Sequence, residues 1–238
     1  MNSNRKTAII VGVLFITATV AGVLGGILSS AFSRPSNAPD YLTNISANET
    51  QLILAGLFIL IMGFAAAGIG IMMYPILKKH NETLALGYAR FRIMECVLFS
   101  VSVVSLLLIL PLSQEFVKAG VQDASYFQTL GTLLQEGQYW AYIVGTISFG
   151  LAAPMFYYSL YQSKLIPRWL SVWGLIGVPF WWAVSLLIMF GSITEGSILE
   201  TFLYLPIGVN EMVLAVWLIV KGFNSSAIAS LSAKTDIN

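Results

Sequence analysis

Apolar residues in this chain come in long continuous runs, and six of them reach the roughly 20 residues that a helix needs to cross about 30 Å of hydrocarbon. The runs extend from about Ala8 to Ala31, Leu52 to Leu77, Tyr88 to Leu112, Tyr139 to Tyr161, Trp169 to Phe190 and Thr201 to Val220. A bilayer offers no water to backbone N–H and C=O groups, so runs of this length predict helices. The expected fold is all-α: a polytopic transmembrane bundle of six spans over residues 1–223, followed by a polar, disordered tail over 224–238. Arg5 and Lys6 precede the first run in the manner of a signal peptide. Its apolar stretch is longer than such peptides carry, which predicts an uncleaved first helix.

The polar stretches between the runs set the orientation. With six spans both termini share a side, and that side holds Arg5, Lys6, Lys78, Lys79, Arg90, Arg92, Lys164, Arg168, Lys221 and Lys234. Only Arg34 and Lys118 fall on the other, so the positive-inside rule predicts cytoplasmic termini. Two outer loops are long. Phe32 to Gln51 contains the turn-forming stretch "SRPSNAPDYLTN" and is expected to be irregular. In Ser113 to Gln138 the spacing of Phe116, Val117, Val121, Ala124, Phe127, Leu130 and Leu134 predicts an amphipathic helix, along the outer interface or extending the third span.

Composition supports the membrane class and removes others. The chain is 57% hydrophobic and 10% charged, with a mean hydropathy of +0.81, whereas soluble domains carry about 25% charged residues. A formal charge of +1 points to no nucleic-acid partner. A single cysteine, Cys96, and a single histidine, His80, exclude an internal disulfide, a two-histidine haem and a histidine-based zinc site, and no cofactor or metal is expected. Nucleophile elbow, zinc-binding helix motif and glycine-rich phosphate loop are missing, and Lys221 lies at a span end where it cannot serve as a central Schiff-base lysine.

Candidate chemistry therefore rests on polar residues inside the spans, where an ionised side chain costs about 2.5 to 3.5 kcal/mol at a helix centre. Glu211 lies near the middle of span six and Glu95 in the inner part of span three. Tyr88, Arg92, Glu95, Phe99 and Ser102 recur at steps of three and four and form one stripe. Within it Arg92 can pair with Glu95 and snorkel to cytoplasmic headgroups, while Arg90 points elsewhere as an interfacial anchor. On span six Tyr204, Gly208, Glu211 and Ala215 form a second stripe, with Asn210 beside it. The two stripes can share a cavity, or each glutamate can hold the bundle together through bonds to other helices.

Small and aromatic residues have packing roles in this reading. Gly56, Gly63, Ala67, Gly70 and Tyr74 share a face of span two, as Gly22 and Gly26 do on span one, which suits close helix approach. Pro75, Pro154, Pro179 and Pro206 mark expected kinks. Trp169 and Trp173, with Tyr157, Tyr158 and Tyr161, are expected at the inner interface, and Trp181 and Trp182 are expected to fill space deeper in.

The segments "YPILKKHNETLALGYARFRIMECVL" (74–98), "PRWLSVWGLIGVP" (167–179) and "LPIGVNEMVLAVWLIVKGFN" (205–224), with the opening "RKTAIIVGVLFITATVAGVLGG", resemble the bacterial membrane-protein family called domain of unknown function 4386. The resemblance covers nearly the whole chain and implies a six-helix inner-membrane protein; it brings no reaction with it. Three functions stay open on the sequence. The chain is a non-catalytic bundle in the lipid bilayer that binds a membrane-protein partner, a lipid or a small amphiphile; or a carrier or channel using Glu211 and Glu95; or an intramembrane enzyme built on those carboxylates.

Overall fold

The computed structural model describes residues 3–32, 41–119 and 124–235. Eight α-helices account for nearly all of them: α1 (Ser3–Ser29), α2 (Tyr41–Ala47), α3 (Glu49–Leu77), α4 (Glu82–Ala119), α5 (Ala124–Ser163), α6 (Arg168–Met189), α7 (Ile198–Val220) and α8 (Ser225–Thr235). Six of these, α1 and α3 to α7, are long and apolar enough to cross a membrane. Their cores coincide with the six expected runs. The expected kinks at Pro75, Pro154, Pro179 and Pro206 all fall inside helices that continue through the proline.

Each span packs on its neighbour in sequence, and α1 packs on α7, so the six close into an up-and-down ring. Polar clasps complete it. Arg5, near the start of α1, donates to the carbonyls of Leu218 at 3.0 Å, Ile219 at 2.6 Å and Val220 at 3.2 Å, which are orphaned at the end of α7. A guanidinium at a helix C-terminus also sits favourably against the helix dipole. At the other end of α1, Gln51 Nε2 donates to the Leu28 carbonyl at 2.9 Å and Gln135 Nε2 to that of Phe32 at 3.3 Å.

Lipid tails give apolar side chains no reason to prefer one another, so membrane helices gain contact by bringing backbones close. Glycines provide that approach around the ring. A Cβ at Gly12 would lie 2.6 Å from Ile219 of α7, one at Gly22 2.8 Å from Met62 of α3, one at Gly145 2.6 Å from Phe99 of α4, and one at Gly177 2.6 Å from Ile207 of α7. On α3, Gly56, Gly63 and Gly70 meet Val103, Cys96 and Arg92 of α4, as their shared face anticipates. On α1 the partner of Gly22 in this role is Gly25, against Ile59; Gly26 faces open space.

Two stretches depart from expectation, and a third follows one of its two expected forms. The connection between the first two spans is partly helical, because Leu42 and Ile45 give α2 an apolar edge that is buried with Leu52, Ala55, Leu106 and Ile109. The Tyr41 hydroxyl abuts Gly131 of α5 without a hydrogen-bond partner, and burial pushes its pKa up to about 12. The turn-rich 33–40 segment, with Arg34, lies outside the described residues, as do 120–123. The segment 113–138 extends both flanking spans, α4 to Ala119 and α5 back to Ala124, so Phe116 and Phe127 pack edge-on at 6.0 Å between the two. The tail is not disordered throughout: α8 forms, and Ala227 and Leu231, one turn apart, join the main core.

Packing at the ring seams can be tested by adding one methyl group. The ring of Tyr157 lies directly on Gly174, so Gly174→Ala should lower stability by about 1–3 kcal/mol. Gly26→Ala, with nothing within 4 Å, should leave the melting temperature in detergent unchanged or slightly raised.

Candidate functional site in the ring interior

The stripe Tyr88, Arg92, Glu95, Phe99 and Ser102 of α4 is buried throughout. Neighbouring positions explain why. Ala89 and Cys96 face the glycines of α3, and Phe99 faces Gly145 of α5, which leaves Glu95 between the two contact lines. Arg92 Nη1 stands 3.0 Å from Glu95 Oε2, with the two side chains 5% and 7% exposed. Arg92 Nε donates to the Ala66 carbonyl of α3 at 3.3 Å, and its guanidinium lies 5.1 Å from the centre of the Phe149 ring on α5. The arginine is thus a packed interior group, and the snorkelling expected of it does not occur. Its α-carbon lies too deep in the helix contact for that: a Cβ at Gly70 would be 3.0 Å from Arg92 Cβ. Arg90, on the opposite face, is exposed.

On α7 adjacent residues serve different neighbours. Asn210, 0% exposed, donates from Nδ2 to the Leu170 carbonyl of α6 at 3.0 Å. Ala215 and Ile219 face Gly12 of α1. Glu211 lies between those two contact lines and points towards the ring axis, where Arg92 is in electrostatic reach of it as well as of Glu95, Tyr88 and Tyr157. Glu95 and Glu211 also feel each other. Yet Glu211 keeps part of its surface accessible, and a Cβ on Gly208, one turn away on the same stripe, would meet nothing within 4 Å. Glu211 is therefore less tightly enclosed than Glu95.

The remaining expected residues are structural ties. Ser102 Oγ donates to the Gln138 carbonyl of α5 at 2.9 Å, and the Tyr204 ring packs tilted against Trp181 with centroids 4.3 Å apart. Trp181 and Trp182 do more than fill space: their indole nitrogens donate to the carbonyls of Thr146 at 2.9 Å and Gly150 at 3.1 Å, fastening α6 to α5. Tyr157 is fully buried against the other helices, and its hydroxyl has no hydrogen-bond partner. Spacing with Phe149, Ala153 and Leu160 on one face of α5 was the available clue. Among the described residues no three His, Cys, Asp or Glu side chains gather as metal ligands.

A closed ring of apolar helices around a buried arginine and two carboxylates defines a polytopic helical membrane protein. The chain belongs to the family described as "Domain of unknown function (DUF4386)", which it matches over residues 10–222. No curated protein and no solved structure matches it.

Removing one partner of a buried ion pair strands the other charge, at a cost of about 3–5 kcal/mol. Arg92→Met should therefore unfold the protein at markedly lower temperature in detergent. Adding Glu95→Leu to it should restore most of the loss, and a double-mutant cycle measures the coupling.

Proposed function

We propose that this chain is a non-enzymatic, multi-pass protein of the bacterial inner membrane, with cytoplasmic termini, that binds and carries a proton or small monovalent cation at Glu211. The observation that supports this reading is the position of Glu211: at mid-span, in electrostatic reach of Arg92, and with part of its surface still accessible. One guanidinium facing two carboxylates leaves the ionised cluster with excess negative charge, which a proton or cation would offset. Arg92 and Glu95, on α4, are packed against α3 and α5 and act as a fixed electrostatic wall. Glu211 is the exchanging group.

A purely structural role for the cluster is the second reading, favoured by the tight packing of Arg92 against Ala66, Gly70 and Phe149. Proteoliposomes separate the two. With a potassium diffusion potential and an internal pH-sensitive or sodium-sensitive dye, the wild-type chain should pass current that Glu211→Gln reduces to the level of protein-free vesicles. Glu211→Asp should keep part of it. Equal flux in wild type and Glu211→Gln, both correctly folded, would leave only the structural reading standing.

A further inference from the structure

A second polar feature lies far from the ring interior, where the α5–α6 turn meets the end of α7 and the start of α8. A cavity of about 600 Å³ opens there. Three of its lining residues are basic, Lys164, Arg168 and Lys221, and its floor includes Leu165, Ile166 and Trp217. Asn224 and Ser225, which open α8, complete the wall. Among the described residues none of the three cations is paired with a carboxylate.

The backbone holds this arrangement in place. Lys164 ends α5 with φ of 57°, a left-handed conformation that side-chain-bearing residues seldom adopt and that turns the chain sharply into the cavity wall. Leu165 and Ile166 are buried, and the Leu165 carbonyl accepts from Asn224 N at 2.9 Å, which ties the two turns together. Asn224 Oδ1 in turn accepts from Ser226 N at 3.1 Å, capping α8. The positive end of the α8 dipole is thereby directed at the same cavity as the three side-chain charges. Arg168 is fixed by the Tyr161 ring, 5.1 Å from its guanidinium carbon.

The depth of the cavity narrows the ligand. Trp169 is 54% exposed and stacks on Trp173 at 6.4 Å. A tryptophan pair at a span end, one member half-exposed, marks the headgroup level of a bilayer. Converging lysine and arginine at that level match a phosphate, which accepts several charge-assisted hydrogen bonds at once.

We propose that this cavity binds the phosphate of an anionic group at headgroup level, carried by a phospholipid or by a free phosphate ester. Native mass spectrometry and thermal unfolding of the full chain in neutral detergent test it, with three probes: dioctanoyl phosphatidylglycerol, dioctanoyl phosphatidylcholine and inorganic phosphate. Phosphatidylglycerol should remain bound and raise the melting temperature. The Lys164→Gln, Arg168→Gln, Lys221→Gln triple variant should need about tenfold or more lipid for half-saturation. Lys6→Gln with Lys78→Gln, which removes exposed cations elsewhere, should leave binding unchanged. All the substituted lysines and Arg168 are exposed, so the folded state itself should persist, and its unliganded melting temperature checks this. Competition by inorganic phosphate at similar concentrations identifies a free phosphate as the ligand; binding of the lipid without such competition identifies the headgroup. Equal retention of phosphatidylcholine, or an equal loss in the triple variant and the Lys6–Lys78 control, would overturn the proposal.

Discussion

An arginine cannot be left alone in hydrocarbon, and the burial of Arg92 constrains much of this fold. Its guanidinium needs a carboxylate, a carbonyl and a polarisable face, and α4, α3 and α5 each supply one: Glu95, Ala66 and Phe149. Those three helices are consecutive spans, so a single side chain sets their separation and rotation together. Gly70 lets the arginine approach; a larger residue there would push α3 off α4.

The opposite side of the ring is held differently. α6 is joined to α5 and α7 by neutral donors on carbonyls, from Trp181, Trp182 and Asn210. The result is a ring in which Glu95 is packed beside Arg92 while Glu211 keeps part of its surface accessible. That asymmetry gives two glutamates of the same chemistry different roles.

The spans were legible in the sequence because run length alone decides whether a helix can cross a bilayer, and the α4 stripe because periodicity fixes direction. Depth and partners were not. Periodicity places Arg92 and Glu95 on one face without saying that the face is closed over, so an arginine near a span end reads as a snorkelling anchor. Asn210 and Glu211 are adjacent in sequence, yet one bonds α6 and the other faces the axis, a distinction that depends on where α1 and α6 sit. α2 and α8 escaped because each buries only two small or medium apolar side chains in a polar context, Leu42 with Ile45 and Ala227 with Leu231. Their helicity comes from the surface they dock on.

Closure of the ring joins the two ends of the chain: Arg5 is 213 residues from the first carbonyl it caps. A chain made from its N-terminus inserts α1 long before α7 exists. During synthesis the first span therefore stands with its Gly12 face exposed to lipid and its arginine unsatisfied by protein. The last span is then the keystone of assembly, and every nascent intermediate is an open arc whose two free edges are complementary to each other.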